Sequence, residues 1–237
     1  MNTMTLSCNF DKLIIIQYIF GEVTMDQNLH SVMLKKVERT IASLEKNNMH
    51  GHYVTSVEAL HEKINSLVPE NSVVSVGGSM TLFETGVIDL LRSEPYQFLD
   101  RYAEGLTPEE IKSIFRQSFS ADAYFASTNA ITENGELYNV DGTGNRVAAM
   151  IFGPDKVIII AGLNKIVKNL DEAIHRNREI SAPSNVKRLN MQTPCNTTGT
   201  CSDCKSAGRI CVAYTTIGFQ RVKDRIHVIF VDGAYGY

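Results

Sequence analysis

The chain has 237 residues, of which 43% are hydrophobic and 21% charged, a composition that suits one large globular α/β domain with a full core. Its formal net charge of −3 argues against a nucleic-acid-binding protein, which needs a strongly basic face. No apolar segment reaches the roughly 20 residues of a membrane-spanning helix, so neither nucleic acid nor a membrane is an expected partner.

The N-terminal segment differs from the rest of the chain. Residues 13–20 form an apolar run of eight that follows a single lysine. The run lacks the basic region and the A-x-A-like cleavage site of a signal peptide. We interpret residues 1–24 as a peripheral extension, either an upstream misassigned start or an edge strand. Residues 25–237 are then expected to form a single domain, located in the cytoplasm.

The next part of the chain predicts alternating helices and strands. Amphipathic spacing predicts a helix over residues 28–48, and Ser56 is expected to cap a second helix over residues 57–67. Short runs rich in β-branched residues predict strands at residues 52–54 and 72–76. Residues 95–120 are predicted to pack as helix, with Thr107 as a cap and Pro108 at the first helical position.

A glycine-rich turn follows the strand at residues 72–76 and leads into a helix that runs to residue 91. Its candidate ligand-binding residues are Gly77, Gly78, Ser79 and Thr81. The order strand, glycines, hydroxyls, helix is typical of loops whose backbone N–H groups hold a phosphate or a carboxylate. It is neither a Walker A loop nor a G-x-G-x-x-G fingerprint, and no flavin or NAD motif is present. The alternative is a tight turn that needs glycine only for its shape.

Residues 121–165 carry the most polar turns of the chain. Strands predicted at residues 123–127, 136–140 and 156–161 are separated by turns rich in Asn, Asp, Thr and Gly. Ligands of open α/β sheets bind on loops at the carboxyl ends of strands. Lys165, next to Asn164, follows the third strand and is either a partner of an anionic ligand or a solvated lysine. These features predict a pocket for a small anionic metabolite, a carboxylate or a phosphate.

The remaining apolar patterns predict a helix over residues 166–180, a short helix over residues 183–190 and a last buried strand over residues 226–231. Within that strand His227 alternates with apolar neighbours and is expected to be a core histidine.

Four of the five cysteines lie in a loop rich in Gly, Ser and Thr at residues 193–211: Cys195, Cys201, Cys204 and Cys211. In a reducing compartment, clustered thiols favour metal binding or redox chemistry over structural disulfides. Four thiolates suit a tetrahedral zinc ion or an iron–sulfur cluster, and the spacing C-x5-C-x2-C-x6-C does not decide between them. Redox disulfides and unliganded thiols are the alternatives.

Several of these motifs, in the same order, resemble the LUD-domain family, named for lactate utilisation. The resemblance covers about residues 27–237 and is carried by Gly77-Gly78-Ser79-Met80-Thr81, Thr128-Asn129-Ala130-Ile131-Thr132, Asp141-Gly142-Thr143-Gly144-Asn145-Arg146, Asn164-Lys165 and the cysteines. It is strongest to the cysteine-containing branch of formerly unknown function. It implies a Rossmann-like, mostly parallel sheet with helices on both faces, similar to ribose-5-phosphate isomerases, glucosamine-6-phosphate deaminases and CoA transferases.

In those relatives the glycine-rich loop holds a phosphate, a carboxylate or part of CoA, a role that would fall here to residues 77–81. Homodimers are frequent in this fold. Thr132-Glu133-Asn134-Gly135 also resembles the Glu-Asn-Gly motif of class I CoA transferases, in which the glutamate is the nucleophile. Asn-Gly is equally the commonest tight turn between strands, and we favour the turn.

Three functional hypotheses follow. In the first, the chain belongs to a redox system that oxidises a hydroxy acid, with an iron–sulfur cluster and redox partner subunits; Asp141 is the candidate general base, and Asn145 and Arg146 bind the anion. The alternatives for these residues are an Asp-Gly turn and a surface charge. In the second hypothesis the protein is a non-catalytic metabolite-binding regulator with structural zinc. In the third it is an isomerase or CoA-transferase-like enzyme that uses Glu133.

Overall fold

A computed structural model of the chain describes residues 26–93 and 95–237. The predicted extension at residues 1–24 lies outside the described residues. Contacts divide the chain into two units, Met1–Lys35 and Lys36–Tyr237. Of the first unit the structure describes residues 26–35, which are helical from Gln27 onward. Among the described helices, none combines the length and the apolar character of a membrane-spanning segment.

The described helices and strands alternate along much of the chain. The α-helices are α1 Gln27–Lys46, α2 Val57–Leu67, α3 Met80–Glu84, α4 Val87–Ser93, α5 Pro108–Gln117, α6 Asn145–Phe152, α7 Leu170–Arg176, α8 Ala182–Arg188 and α9 Pro194–Thr198. Short 3₁₀ segments occupy Ser118–Ser120 and Leu163–Lys165, and a π-helical segment, Asn177–Ser181, joins α7 to α8. The strands are β1 His50–Val54, β2 Val73–Val76, β3 Gln97–Leu99, β4 Ala123–Ala126, β5 Ala130–Thr132, β6 Leu137–Asp141, β7 Lys156–Gly162, β8 Ile166–Val167, β9 Ala213–Ile217 and β10 Ile226–Val231.

The main sheet has six strands in the order β1-β10-β7-β4-β2-β3, and every neighbouring pair is parallel. Ile158 and Ile160 of β7 pack with residues of α2, α3 and α4 on one face. Ile159 and Ala161, which alternate with them, are fully buried as well, so both faces of this strand are covered. The predicted α/β class with a mostly parallel sheet is confirmed.

A second, four-stranded sheet has the order β8-β5-β6-β9. Strands β5 and β6 form an antiparallel hairpin, β6 pairs antiparallel with β9, and β5 pairs parallel with β8. The hairpin turn places Gly135 at φ 79° and closes with a 2.8 Å bond from Gly135 N to Thr132 O. The Asn-Gly sequence is therefore a turn between strands, as favoured above.

Two predicted helical regions contain strands instead. Residues 97–99 form β3, because they extend the main sheet at its edge beside β2. The helix predicted from residue 166 begins only at Leu170, so the prediction is wrong over its first turn. Ile166 and Val167 pair with β5, and the Asn169 side chain caps α7 by accepting a 3.0 Å hydrogen bond from Glu172 N.

Candidate functional site

The carboxyl ends of the parallel strands meet at one edge of the main sheet, and a cavity of about 270 Å³ lies there. Five strands contribute a lining residue from the segment that follows them: Arg101 after β3, Gly78 after β2, Thr128 after β4, Lys165 after β7 and Tyr237 after β10. This is the edge at which open α/β sheets bind ligands. The predicted site residues that line the cavity are Gly78, Ser79, Thr128, Asn129, Asp141, Gly142, Thr143, Asn145, Arg146 and Lys165.

Arg146, at the start of α6, is fully hydrogen-bonded by the protein itself. Its Nε and Nη2 both donate to Asp141 Oδ1, at 2.9 and 2.6 Å. Its Nη1 donates to the carbonyl of Ser127 at 2.6 Å and to Asn139 Oδ1 at 2.7 Å, and Nη2 also reaches Asn129 Oδ1 at 2.9 Å. A guanidinium has five N–H donors, and these five bonds use all of them, so none remains for a ligand. Arg146 therefore mainly holds the loops around the cavity together.

Asp141 ends β6 and is bonded through both carboxylate oxygens. Oδ1 accepts from Arg146, and Oδ2 accepts a 3.0 Å hydrogen bond from Val147 N in the first turn of α6. Side-chain exposure is 6% for Asp141 and 11% for Arg146, so the pair is buried. The proposed role of Asp141 as a general base stays a prediction, whereas its role in orienting Arg146 follows from the contacts.

Gly77 makes room for Arg146. A Cβ atom at this position would lie 2.7 Å from Arg146 Cγ and 2.9 Å from the hydroxyl of Tyr124. At the neighbouring Gly78 the nearest atom would be Arg101 Nη1 at 3.5 Å, an ordinary contact. The absence of a side chain at Gly77 therefore lets Arg146 pack closely against the backbone, whereas Gly78 lines the cavity.

Lys165 is a buried cation surrounded by neutral oxygens. Its Nζ donates to Thr81 Oγ1 at 2.9 Å, to Ser127 Oγ at 3.0 Å and to the carbonyl of Thr128 at 3.2 Å. The residue is 2% exposed. The pKa of Lys165 is lowered to about 7, mainly by burial. The positive charges of Arg176 and Arg146 also lower the pKa, and each outweighs the opposite effect of Glu84. Thr81 therefore holds Lys165 in place and is not itself part of the cavity lining.

Positive charge exceeds negative charge in the lining. Arg101, Arg146, Lys165 and Arg188 contribute cationic side chains, and Asp141 is the only acidic side chain among the described residues of the lining. Arg101, Lys165 and Arg188 form no ion pair with any carboxylate in the described part of the chain. The guanidinium of Arg101 lies over the ring of Phe115, 4.5 Å from its centroid.

Unpartnered polar atoms gather at the same place. Among the described residues, the buried side-chain nitrogen and oxygen atoms without a hydrogen bond are Arg101 Nε, Asn177 Oδ1 and Tyr237 Oη. All three residues line the cavity. Buried polar groups are normally satisfied, so an unmet donor and acceptor at one cavity indicate a ligand or ordered water.

The C-terminal tail closes part of the site. Asn164 Nδ2 donates to Gly236 O at 2.9 Å, and Asn164 Oδ1 accepts from Tyr235 N at 3.2 Å. Thr81 Oγ1 donates to the carbonyl of Tyr235 at 3.2 Å. These bonds bring Tyr237 to the cavity. Asn164 therefore holds the tail and does not itself line the cavity.

Two other predicted residues lie outside the lining. Glu133 is in the β5–β6 turn and forms a 2.7 Å ion pair with Arg39. Gly144 occupies the N-cap of α6 with φ 79°. Sequence reasoning missed Arg101, Arg188 and Tyr237. Arg101 could have been found from the strand-end rule, because it follows β3, but residues 95–120 were predicted to be helical.

The four predicted cysteines lie close together. Cys195 is on α9 and buried, and the other three are half-buried on the irregular loop that follows; all four are free thiols. They line one small cavity of about 20 Å³. Burial and the nearby Cys201 raise the pKa of Cys211 to about 11, whereas hydrogen bonds from Ser206 lower the pKa of Cys204. In the described residues, no three His, Cys, Asp or Glu side chains are placed to hold a metal ion as they stand.

A parallel six-stranded sheet whose strands alternate with helices along much of the chain defines a Rossmann-like α/β protein. The LUD domain model matches residues 37–231. The chain therefore belongs to the LUD-domain family, which is related to lactate utilisation.

Comparison with solved structures finds similar chains at low sequence identity. One is a DUF162 family protein from Deinococcus radiodurans, 15% identical, with a TM-score of 0.48, covering 85% of this chain and 98% of that one. Another is eIF2B delta from Chaetomium thermophilum, 14% identical, with a TM-score of 0.34, covering 69% of this chain and 65% of that one. Comparison with curated proteins gives no match.

Proposed function

We propose that this protein binds a small metabolite that carries two or more negative charges, a carboxylate or phosphate compound, in the cavity at the strand ends. The observation that carries the proposal is the excess of cations in the lining. Arg101, Lys165 and Arg188 have no carboxylate partner among the described residues, and Asp141 is already bonded to Arg146. Lys165 is buried and Arg101 is half-buried, whereas Arg188 is exposed. An unpaired charge held away from water is costly, and an anionic ligand offsets that cost.

The residues fall into two groups by their contacts. Arg101, Lys165 and Arg188 supply charge to the ligand, and the Arg101 Nε donor is unpartnered. Asp141 and Arg146 hold the loops after β4 and β6 in place. The hydroxyl of Ser79 makes no capping bond to α3, so it is available to an anion. Asp141 remains the candidate general base, because it is the acidic side chain among the described residues of the lining.

We further propose that the protein works as a subunit of a hydroxy-acid-oxidising redox system. This part of the proposal is supported by membership of the LUD-domain family. The sequence carries no flavin or NAD motif, so partner subunits would supply the cofactor that accepts the electrons. Glu133 has no role in this proposal, because it pairs with Arg39 outside the cavity lining.

Calorimetric titration of the purified full chain with lactate, malate and inorganic phosphate tests the charge class. We expect malate or phosphate to bind at least tenfold more tightly than lactate, because lactate neutralises only one of the unpaired cations. Binding should weaken as ionic strength rises.

The Arg101→Met variant should lose about tenfold in affinity, the scale of one charge-assisted hydrogen bond. Arg221→Met is the matched control, since Arg221 is exposed and outside the cavity lining. Equal binding by Arg101→Met and the wild type, or no binding of any anion at millimolar concentration, would refute the proposed site.

A further inference from the structure

The cysteine loop is organised before any ligand is added. Arg209 Nε donates to the carbonyl of Cys211 at 2.6 Å, and its Nη1 donates to the carbonyl of Cys204. The same guanidinium reaches Asp203 Oδ1 at 2.9 Å and Tyr214 Oη at 2.8 Å. One side chain therefore holds both ends of the segment 203–211 and keeps Cys204 and Cys211 at the same cavity.

The loop is also tied to the rest of the fold on its other side. The backbone N–H of Cys201 donates to the carbonyl of Arg178 at 3.2 Å, and Thr200 Oγ1 donates to Glu179 at 2.9 Å. Arg178 and Glu179 belong to the π-helical segment that joins α7 to α8. The position of Cys201 is thus set by contacts distant in sequence.

Backbone donors point at the sulfur atoms. Asp203 N, two residues along the chain, donates to Cys201 Sγ at 3.4 Å. Ser206, two residues after Cys204, hydrogen-bonds to the Cys204 thiol through its side chain and its backbone. Thr193 Oγ1 lies 3.3 Å from Cys195 Sγ. Hydrogen bonds to sulfur of this kind stabilise thiolate ligands around metal centres.

We propose that Cys195, Cys201, Cys204 and Cys211 together bind a thiophilic metal centre, an iron–sulfur cluster or a zinc ion. Both use four thiolates, and each thiol loses its proton as the metal–sulfur bond forms. As they stand, no three ligating side chains of the described residues meet at one point, so metal binding requires the thiols to turn into the cavity that they already line.

The proposed centre adjoins the anion cavity. Ile210 and Cys211 line both cavities. A metal bound to Cys211 would therefore lie next to the metabolite, and its charge would act on an anion at short range. Metal content and anion affinity are measured separately, so the metal site and the anion site can be confirmed or refuted independently.

The test is to purify the full chain without oxygen and to measure zinc, iron, sulfide and visible absorption. A second sample is reconstituted with ferrous iron and sulfide, and a third with zinc. Iron and sulfide with the absorption of a cluster would identify an iron–sulfur centre, and one zinc per chain without colour would identify a zinc site. Either result supports the four-cysteine centre.

Cys201→Ser and Cys204→Ser should lose most of the metal, while Cys8→Ser, the same change outside the loop, should keep it. In case a variant does not fold, the wild-type protein supplies a second readout. Its four loop thiols should react slowly with a thiol reagent when loaded and rapidly after chelation. The proposal is overturned if the reconstituted wild type holds no metal and its thiols react freely, or if the Cys201→Ser/Cys204→Ser double variant retains the metal.

Discussion

Lys165 has an environment that makes its charge depend on pH near neutrality. The side chain is buried at the carboxyl end of β7, where its three donors meet two hydroxyls and a carbonyl. No carboxylate of the described residues forms an ion pair with it, and Arg176 and Arg146 oppose its charge. Burial without a counter-ion lowers the pKa of a lysine, and here it lowers the pKa to about 7. A bound anion would supply the missing counter-ion.

We therefore expect anion affinity to fall as pH rises. Lys165 is protonated below its pKa of about 7, so malate should bind most tightly there and more weakly above it. The change is at most about tenfold per pH unit, because one proton is linked to binding. Calorimetry with malate from pH 6 to 9 measures the slope. Lys165→Met should bind weakly with a flat profile, and Lys187→Met, an exposed lysine on α8, should keep the wild-type slope. A flat wild-type profile would contradict the assignment.

At the scale of single elements, the turn between β2 and α3 shows two glycines with different functions. Gly77 borders the side chain of Arg146, whereas Gly78 borders open cavity. The glycine pattern alone predicted a ligand loop and could not separate the two, because the neighbour of Gly77 comes from α6, about 70 residues later.

Gly77→Ala and Gly78→Ala make a matched pair of variants. The new methyl group at position 77 would lie 2.7 Å from Arg146 Cγ, so Arg146 must shift, at a cost of about 1–3 kcal/mol in unfolding free energy. At position 78 the nearest atom is 3.5 Å away, and the expected change is below about 0.5 kcal/mol. Urea unfolding measures both. Equal stability of the two variants would show that the Gly77 contact is unimportant.

The tail after β10 is a second element whose function depends on distant contacts. Asn164 and Thr81 bond to Tyr235 and Gly236, so residues from the ends of three parallel strands meet at one point. The sequence identified Asn164 and Thr81 as ligand-binding residues. The structure shows that they position Tyr237 and Lys165, which line the cavity.

At the scale of the whole unit, residues 36–237 contain two sheets that share the cavity. Arg146 bonds to Ser127, which follows β4 of the main sheet, and to Asp141 and Asn139 of β6 in the second sheet. The ion pair is buried, so removal of one partner leaves an uncompensated charge.

Asp141→Asn should therefore lower the free energy of unfolding by about 3 kcal/mol. The matched control is Asp89→Asn, because Asp89 is 84% exposed and stands 3.8 Å from Arg92, a pair expected to contribute less than about 1 kcal/mol. Urea denaturation of both variants at pH 7 decides the comparison. A loss below 1 kcal/mol in Asp141→Asn would mean that the pair does not hold the two sheets together.

The sequence by itself determined the features that depend on neighbouring residues. The helix at residues 57–67, the strand at residues 226–231 and the helix cap at Thr107 follow from periodicity and local hydrogen bonds, and the structure has them at those positions. The loops at Gly78, Thr128 and Lys165 were predicted because each follows a predicted strand. A parallel α/β sheet gathers the carboxyl ends of its strands at one edge, and these three residues line the cavity there.

Only the tertiary structure decided what depends on distant partners. The short strands β3, β5, β8 and β9 have two to five residues each, too few for a clear period, and exist because neighbouring strands pair with them. The saturation of Arg146, the lack of a counter-ion at Lys165 and the place of Arg101 and Tyr237 in the lining depend on contacts across the chain. Such contacts leave no local pattern, because burial and hydrogen bonding are set by whichever segments the fold brings together.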